Sequence, residues 1–493
     1  MNAGTTSYRP RDGAVAGVVP DSTPEEVAAA VARAQGAASA VAGVAPAVRR
    51  AWLDALADAL VAHRDELAGL ADTETALGLP RLGGEVERMA AQLRFYAEVA
   101  AEGAYLGVVR DSAPGLVRVN QPLGPVAVFG ASNFPFGFGV LGNDTASALA
   151  AGCPVVAKAH PAHALTCVRL AEIATAALAE AGAPDGIFGM VGGMAAGTEL
   201  VRSPGIAAVG FTGSQGGGLA LWRIANEREV VIPVYAEMGT VNPVVLTPAG
   251  AASRAEEVAA GYVASFTLGS GQFCTKPGLL LAPAGAGFAE AVGEALTAAA
   301  PGPVMLTRGI ADAARTGVAA LVDAGAEVVA TAAGSGEGWS TDAAVLRAPI
   351  AALTAGSRLL EECFGPVALV VEYGSEEELR GALTALQGSL AGAVFTDGTA
   401  TDADAAWLVP TLAGQVGRVA IDEWPTGVAW TWAQQHGGPW PATSRPESTS
   451  VGAASLDRWL RPVAYQNVAE EWLPAAGRQA NPWGVPQRVD GVR

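Results

Sequence analysis

Cysteine, histidine, basic residues and long apolar runs are all scarce in this chain, and each scarcity excludes something. Four cysteines (Cys153, Cys167, Cys274 and Cys363) among 493 residues cannot build a disulfide framework, and no C-x-x-C pair occurs. The four histidines (His63, His160, His163 and His436) give no H-E-x-x-H or other metal-ligand spacing, so no metal is expected. No stretch of 18 or more strongly apolar residues appears, and the first residues lack a basic-then-apolar secretory pattern. The expectation is therefore a cytoplasmic protein with reduced thiols and no membrane partner. Lys and Arg total 30 against 48 Asp and Glu, a formal charge of −18, and such a field repels nucleic acid. A small anionic ligand is not excluded, because it answers to local donors rather than to net charge.

What the chain does have is apolar residues in quantity, 51% against 16% charged, enough for a large buried core and too many for disorder. At roughly 150 residues per domain the length predicts two or three domains. The N-terminal hundred residues read as helical. Thr23-Pro24-Glu25-Glu26 is a helix start, with a capping hydroxyl, a proline at the first helical position and acids at the positive dipole end. Alanine-rich runs of helical period follow at about 25–41, 46–68 and 84–103. Beyond Gly115 short apolar strands alternate with helices: strands at 125–130, 154–158, 187–191 and 207–211, with helices near 138–151, 164–181, 195–202 and from 215. A second alternating series starts near VIPVY (231–235) and runs to about 425. Alternation means crossover connections and mostly parallel sheets covered on both faces, with ligands bound beyond the carboxyl ends of the strands. Eight of the eleven tryptophans fall after residue 400, in a segment of short strands and prolines that suits an arm packed on another surface.

Several residues could carry chemistry. Cys274 lies in Gly-Gln-Phe-Cys-Thr, next to a glycine that lets backbone amides approach a reacting group. A free thiol of pKa about 8.5 is mostly protonated at neutral pH and needs local help to act as a nucleophile. Glu237, in Tyr-Ala-Glu-Met-Gly after the apolar run VIPVY, is an acid at the end of a buried strand, where burial would raise it toward general-base range. Asn133 and Lys158 end strands, as do Gly213 and Ser214. Read alone, each also fits an ordinary structural role. Cys274 with His436 could form a thiol-hydrolase pair, although nothing in their spacing demonstrates one. Gly137-Phe-Gly139-Val-Leu-Gly142 matches the dinucleotide pattern G-x-G-x-x-G. It is discounted, because Asn133-Phe-Pro-Phe separates it from the strand and no acidic residue ends the next strand.

Taken in order, the segments PLGPVAVFGASNFPF, PVVAKAHP, FTGSQGGG, AEMGTVNPV, GQFCT and EECFGPV resemble the aldehyde dehydrogenase superfamily, from about residue 15 to 485. GNDTASALAAGCPVVAKAHP, HGGPWPAT and LRPVAYQN look like one branch, the NADP-preferring dehydrogenases of 2-oxoglutarate semialdehyde (2,5-dioxopentanoate). The resemblance implies an α/β fold of two domains with mostly parallel sheets and a small β oligomerisation arm. The implied cofactor-binding domain covers 1–110 and 125–236 with part of 426–457. The catalytic domain covers 237–425, and the arm comprises 111–124 and 458–493, in a homodimer or homotetramer. It further implies Cys274 as nucleophile, Asn133 as an oxyanion donor and Glu237 as the base that activates water. Lys158, Gly213, Ser214, Glu362 and Phe364 would hold the cofactor, NADP or NAD, and the substrate would be a small aldehyde oxidised to its acid.

Two departures bear on specificity. Met-Gly-Thr-Val-Asn-Pro follows Glu237 where most of the superfamily has Leu-Gly-Gly-Lys, a change the named branch tolerates. Pro161 stands where many NAD-dependent members place an acid that would repel an added ribose phosphate, so NADP is permitted. A 2-oxo acid substrate needs a cation at the pocket mouth, and Arg445 is the candidate. Trp430 and Trp432, if they faced inward, would favour an aliphatic or aromatic aldehyde; otherwise they pack at an interface. A CoA-acylating reductase is the other enzymatic alternative, and Glu237 argues against it. Retention of Cys274, Glu237 and Asn133 together argues against a non-catalytic relative.

Overall fold

The computed structural model describes residues 4–113 and 115–492. The chain opens with a hairpin, β1 (Gly4–Tyr8) and β2 (Val15–Pro20), which the helical reading of this region did not anticipate. Helices α1 (Pro24–Val41), α2 (Pro46–Ala62), α3 (Arg64–Thr75) and α4 (Leu79–Glu102) follow. Thr23 caps α1 in a capping box with Glu26, as the sequence signal predicts. The single helix expected over 46–68 is instead two, broken at His63, whose ring nitrogen lies 2.8 Å from the Ala59 carbonyl.

Strands β3 (Val108–Asp111) and β4 (Leu116–Pro122) lead into a five-stranded sheet. It comprises β5 (Val126–Phe129), β6 (Val155–Lys158), β7 (Phe188–Val191), β8 (Ala208–Gly213) and β9 (Val234–Met238), in the order β7-β6-β5-β8-β9, all parallel. Every residue of β5 and β6 is buried, which is why these strands are continuous apolar runs rather than alternating ones. Helices α5 (Asn143–Ala151), α6 (Ala164–Glu180), α7 (Met194–Arg202) and α8 (Gln215–Asn226) make the crossovers. The helix expected from 138 starts only at Asn143, because Gly139 and Gly142 close tight turns first. A Cβ at Gly139 would lie 1.9 Å from the Pro135 carbonyl oxygen, and one at Gly142 would lie 2.5 Å from that of Gly137. These glycines serve backbone against backbone. Residues 161–180 are long and apolar enough to cross a membrane, but half of that stretch is buried, with Leu170, Ile173 and Leu178 in the main core.

The expected strand at 231–235 is shifted. Pro233 cannot donate to a ladder, so β9 begins at Val234 and carries Glu237 within it, paired in register with Thr212 of β8. The chain then runs through residues 239–242 into a seven-stranded sheet. Its strands are β10 (Pro243–Leu246), β11 (Leu279–Pro283), β12 (Glu327–Ala332), β13 (Ala343–Arg347), β14 (Val367–Tyr373), β15 (Ser389–Phe395) and β16 (Val416–Ile421), in the order β12-β13-β14-β11-β10-β15-β16. Only the edge strand β12 is antiparallel to its neighbour. Helices α9 (Pro248–Thr267), α10 (Phe288–Ala299), α11 (Arg308–Asp323), α12 (Glu376–Ala385) and α13 (Ala405–Ala413) cover its two faces, each over its own apolar core. The fold is α/β with mostly parallel sheets. A four-stranded sheet in the order β17-β4-β3-β18 joins β3 and β4 to β17 (Leu460–Gln466) and β18 (Gln487–Val489), leaving β17 as an edge with exposed residues along it.

Candidate active site

Cys274 lies between α9 and β11, in a loop shaped by a close approach. Gly271 has φ +68°, and a Cβ there would lie 2.2 Å from the Gly365 carbonyl oxygen. Asn242, itself at φ 51°, donates to the Cys274 carbonyl at 2.8 Å and to that of Lys276 at 3.1 Å, so the turn into β10 holds the cysteine loop. Cys274 is the one cysteine of the four that is not fully buried. Its thiol is nevertheless pushed well above its ordinary value by burial, and further by the charges of Glu237 and Glu362. Cys153 is pushed to about 11 and Cys167 to about 12 by burial, and both are fully enclosed, whereas Cys274 opens onto the cavity.

Glu237, from the five-stranded sheet, faces Cys274, from the seven-stranded one, and His436 stands between them. His436 Nε2 is 3.7 Å from Cys274 Sγ and 3.1 Å from Glu237 Oε2. The segment carrying His436 returns alongside β9: Met238 N–H donates to the Ala442 carbonyl, and Ser450 Oγ donates to Glu237 Oε2 at 2.6 Å. Burial alone would raise Glu237, which is the shift the sequence predicts. The structure reverses its sign. His436, the Ser450 hydroxyl and the Arg458 guanidinium outweigh burial and hold the carboxyl below its ordinary value. Glu237 Oε1 has no partner. Behind this cluster, Arg458 pairs with Asp144 at 2.8 Å, both almost fully buried.

The donor atoms of Glu237, Cys274 and His436 all lie within 4.8 Å of one another, a set with the chemistry of a zinc site. The spacing of the histidines could not reveal it, because Cys274 and His436 are 162 residues apart. Sequence reasoning left the Cys274–His436 pair open, and the fold brings the two together. Asn242 and Ser450 were not anticipated. Neither carries a sequence signal, since each acts by holding its neighbours.

Asn133 is buried and donates from Nδ2 to the Gln272 carbonyl at 2.7 Å, so its amide reaches the loop that carries Cys274. Asn133 and Cys274 line the inner end of a cavity of about 650 Å³ whose outer part runs over the carboxyl ends of the five-stranded sheet. Lys158, Gly213, Ser214, Glu362 and Phe364 line it as well. Lys158 Nζ meets only Met194 Sδ, at 3.6 Å. Burial lowers this lysine, and Cys167 and Asp21 partly restore it. Ser214 caps α8 by accepting from Gly217 N–H, leaving a helix N-terminus on the cavity. Glu362 is pushed up to about 7 by burial, with Lys276 and Arg358 opposing. It hangs over Gly239, where a Cβ would lie 2.1 Å from its Oε2.

Three other residues fall outside the cavity lining. Arg445, expected at the pocket mouth, pairs with Glu447 at 3.6 Å and lies over the Tyr235 ring, half exposed. Trp430 carries Arg88 on its face, and Trp432, 58% exposed, meets Phe95 edge-on. Neither ring is among the residues lining this cavity.

Residues 2–439 match the family model described as aldehyde dehydrogenase family. The chain is 44% identical over 465 residues to alpha-ketoglutaric semialdehyde dehydrogenase 2 of Azospirillum brasilense, covering 90% of this chain and 87% of that one. It is 39% identical over 458 residues to alpha-ketoglutaric semialdehyde dehydrogenase of Acinetobacter baylyi, with the same coverage. Among solved structures, a C291A variant of aldehyde dehydrogenase C from Pseudomonas syringae, in complex with NAD+ and octanal, superposes with a TM-score of 0.81 at 20% identity, covering 95% of this chain and 94% of that one. The chain belongs to the aldehyde dehydrogenase family, oxidoreductases that act on aldehydes with NAD(P).

Proposed function

We propose that this enzyme oxidises 2-oxoglutarate semialdehyde to 2-oxoglutarate, with Cys274 as nucleophile, Asn133 as oxyanion donor and Glu237 as the base for hydrolysis. One observation carries the chemistry: a single imidazole nitrogen lies between the sulfur and the carboxylate at the inner end of a dinucleotide-sized groove. Neutral His436, with its proton on Nδ1, takes the thiol proton on Nε2 as Cys274 adds to the carbonyl carbon, and the imidazolium so formed donates to Glu237 Oε2. The alkoxide so formed is met by the Asn133 amide, a donor aimed at developing charge. Bound NAD(P)+ supplies the acceptor for the hydride that leaves this adduct, which makes it a thioester. Glu237, kept ionised by its neighbours, then takes a proton from water as the water attacks the thioester carbon, and Cys274 leaves as a thiolate that takes back the proton held on His436 Nε2. The mechanism uses no metal, so EDTA leaves turnover unchanged.

Lys158, Gly213 and Ser214 would hold the adenosine phosphates, and Glu362 and Phe364 the nicotinamide end. The fit is that of an anion. Among the described residues no carboxylate pairs with Lys158, and Pro161 lines the cavity where an acid would repel a ribose phosphate. We therefore propose NADP+ as the preferred cofactor, with NAD+ accepted. The substrate is favoured by the relatives at 44% and 39% identity, both named for alpha-ketoglutaric semialdehyde. The division into cofactor-binding, catalytic and arm segments at the boundaries given above is proposed with it. So is a dimer or dimer of dimers, which would cover the β17 edge and the exposed Trp472. Four unpaired thiols suit the cytoplasm.

The test is reduced-cofactor production from 2,5-dioxopentanoate, medium-chain aldehydes and aromatic aldehydes, with NADP+ or NAD+ and with or without CoA. The expected outcome is highest kcat/KM for 2,5-dioxopentanoate with NADP+, independent of CoA. A neutral aldehyde turned over better refutes the substrate, and a requirement for CoA refutes the hydrolytic mechanism.

A further inference from the structure

The cluster at the inner end of the cavity has the composition and the spacing of a soft-metal site. Cys274, His436 and Glu237 come from three separate segments: the loop before β11, the stretch that returns beside β9, and β9 itself. One ligand atom from each lies within 4.8 Å of the other two. A tetrahedral zinc ion holds sulfur at about 2.3 Å and nitrogen or oxygen at about 2.1 Å. Those bonds set the edges of the tetrahedron at about 3.6 Å from sulfur to nitrogen and about 3.4 Å from nitrogen to oxygen. The matching distances here are 3.7 Å from Cys274 Sγ to His436 Nε2 and 3.1 Å from that nitrogen to Glu237 Oε2. Two of the three edges are in place, and small side-chain adjustments close the third.

The surroundings suit an ion as well. Ser450 Oγ donates to Glu237 Oε2 at 2.6 Å, while Oε1 of this carboxylate, 3% exposed, has no partner. One oxygen is thus held from behind, as ligating carboxylates are, and the other is free. Three protein ligands leave a fourth position, and Cys274 and Glu237 both line the cavity, so that position is open to a water or a small ligand. A thiolate and a carboxylate balance the charge of a divalent cation, and the sulfur selects soft ions over Mg2+ and Ca2+, which take oxygen ligands. The other Cys–His contact makes no such site. Cys167 Sγ lies 3.3 Å from His163 Nδ1, but Nε2 of that ring is 3.1 Å from the Ala131 carbonyl, and among the described residues no third ligand completes the set.

We propose that Cys274, His436 and Glu237 form a reversible inhibitory site for Zn2+ and similar soft divalent cations. The inhibition rests on the roles proposed above for Cys274 and Glu237; the binding rests on ligand chemistry and geometry alone. No oxidation state changes. The thiol releases its proton to solvent as the zinc–sulfur bond forms, and water leaves the ion as the imidazole nitrogen and the carboxylate oxygen take its place. A sulfur so held does not add to a carbonyl, and a carboxylate so held does not take a proton from water. Because the ligands lie on either side of the junction between the two large sheets, the bound ion also stabilises their docked arrangement.

The experiment titrates Zn2+ into the full-length enzyme after EDTA treatment and desalting, following free zinc with a chromophoric chelator, NADP+-dependent turnover and thermal melting. One ion per chain is expected to bind, turnover to fall as the site fills, the melting temperature to rise, and EDTA to restore activity. Mg2+ and Ca2+ at equal concentration are expected to leave turnover unchanged, and Co2+ bound in place of zinc to show sulfur-to-metal charge-transfer absorption. Removing an outer-shell partner costs about 10–100-fold in metal affinity, the loss expected for Ser450→Ala. His436→Gln and Glu237→Gln each remove a ligand, so their zinc affinity, read without turnover, is expected to fall by about 100-fold or more. Wild-type affinity in both Gln variants would overturn the site and leave capture by the thiol alone; so would a lowered melting temperature with zinc, or no binding at micromolar zinc. Stoichiometric binding with undiminished turnover would refute the inhibition and the nucleophilic role of Cys274 together. A Cys274→Ala enzyme that still turns over would refute that role by itself, while zinc affinity in the wild type and the Gln variants still decides the site. Should a Gln variant not fold, the affinity of Ser450→Ala decides.

Discussion

His436 Nε2 stands 3.1 Å from Glu237 Oε2, and both side chains are almost wholly withdrawn from water. One imidazole nitrogen can therefore take the proton of the sulfur and, once charged, donate to the carboxylate.

Replacing Glu237 by Gln separates those two duties. Hydrolysis is expected to slow by about 10² to 10⁴, with a burst of reduced cofactor equal to the enzyme present. The same change removes a negative charge that raises Cys274, so the pH profile for alkylation of the thiol by iodoacetamide moves to lower pH. Steady turnover at the wild-type rate, without a burst, would show that another base does the work.

Glu362 gives stability a pH slope. Its carboxyl is held at about 7 in the fold against an ordinary 4.5, so the folded state keeps a proton that the unfolded chain releases. That contribution is complete below about 4.5 and is lost as pH climbs through about 7. Thermal melting of the cofactor-free enzyme should show the Glu362→Gln variant gaining on the wild type across that window. Parallel curves would mean the carboxyl is ionised throughout.

Arg458→Met should be strongly destabilising. It strips the buried Asp144, whose carboxyl burial already pushes upward, of its counter-charge, a change that costs about 3–5 kcal/mol. Urea unfolding of the single variant and of Asp144→Asn/Arg458→Met checks this, since the double variant should regain much of the loss. If the double variant is no more stable than the single, the charge pair is not the cause.

The parallel strands and their crossover helices were legible because both faces are covered, which forces runs such as VAVF and VVAK. Lys158, Gly213 and Ser214 were legible as residues at strand ends, whereas Cys274, Glu362 and Phe364 were legible only through the ordered segments that resemble the family. The sign of the Glu237 shift was not, because it depends on His436 and Ser450, which are about two hundred residues further on. The break at His63 and the late start of α5 turn on single contacts that periodicity does not register. Arg445 failed as the expected cation because proximity in sequence to HGGPWPAT does not place a side chain in the cavity.

Nucleophile and base ride on different sheets, joined by the short stretch from Gly239 to Asn242. Neither half of the polypeptide holds a reaction centre by itself, so turnover measures how faithfully the two halves are docked. Asn242, which grips the Cys274 carbonyl from that seam, is thus a place where engineering could tune rate without touching any atom that meets an aldehyde.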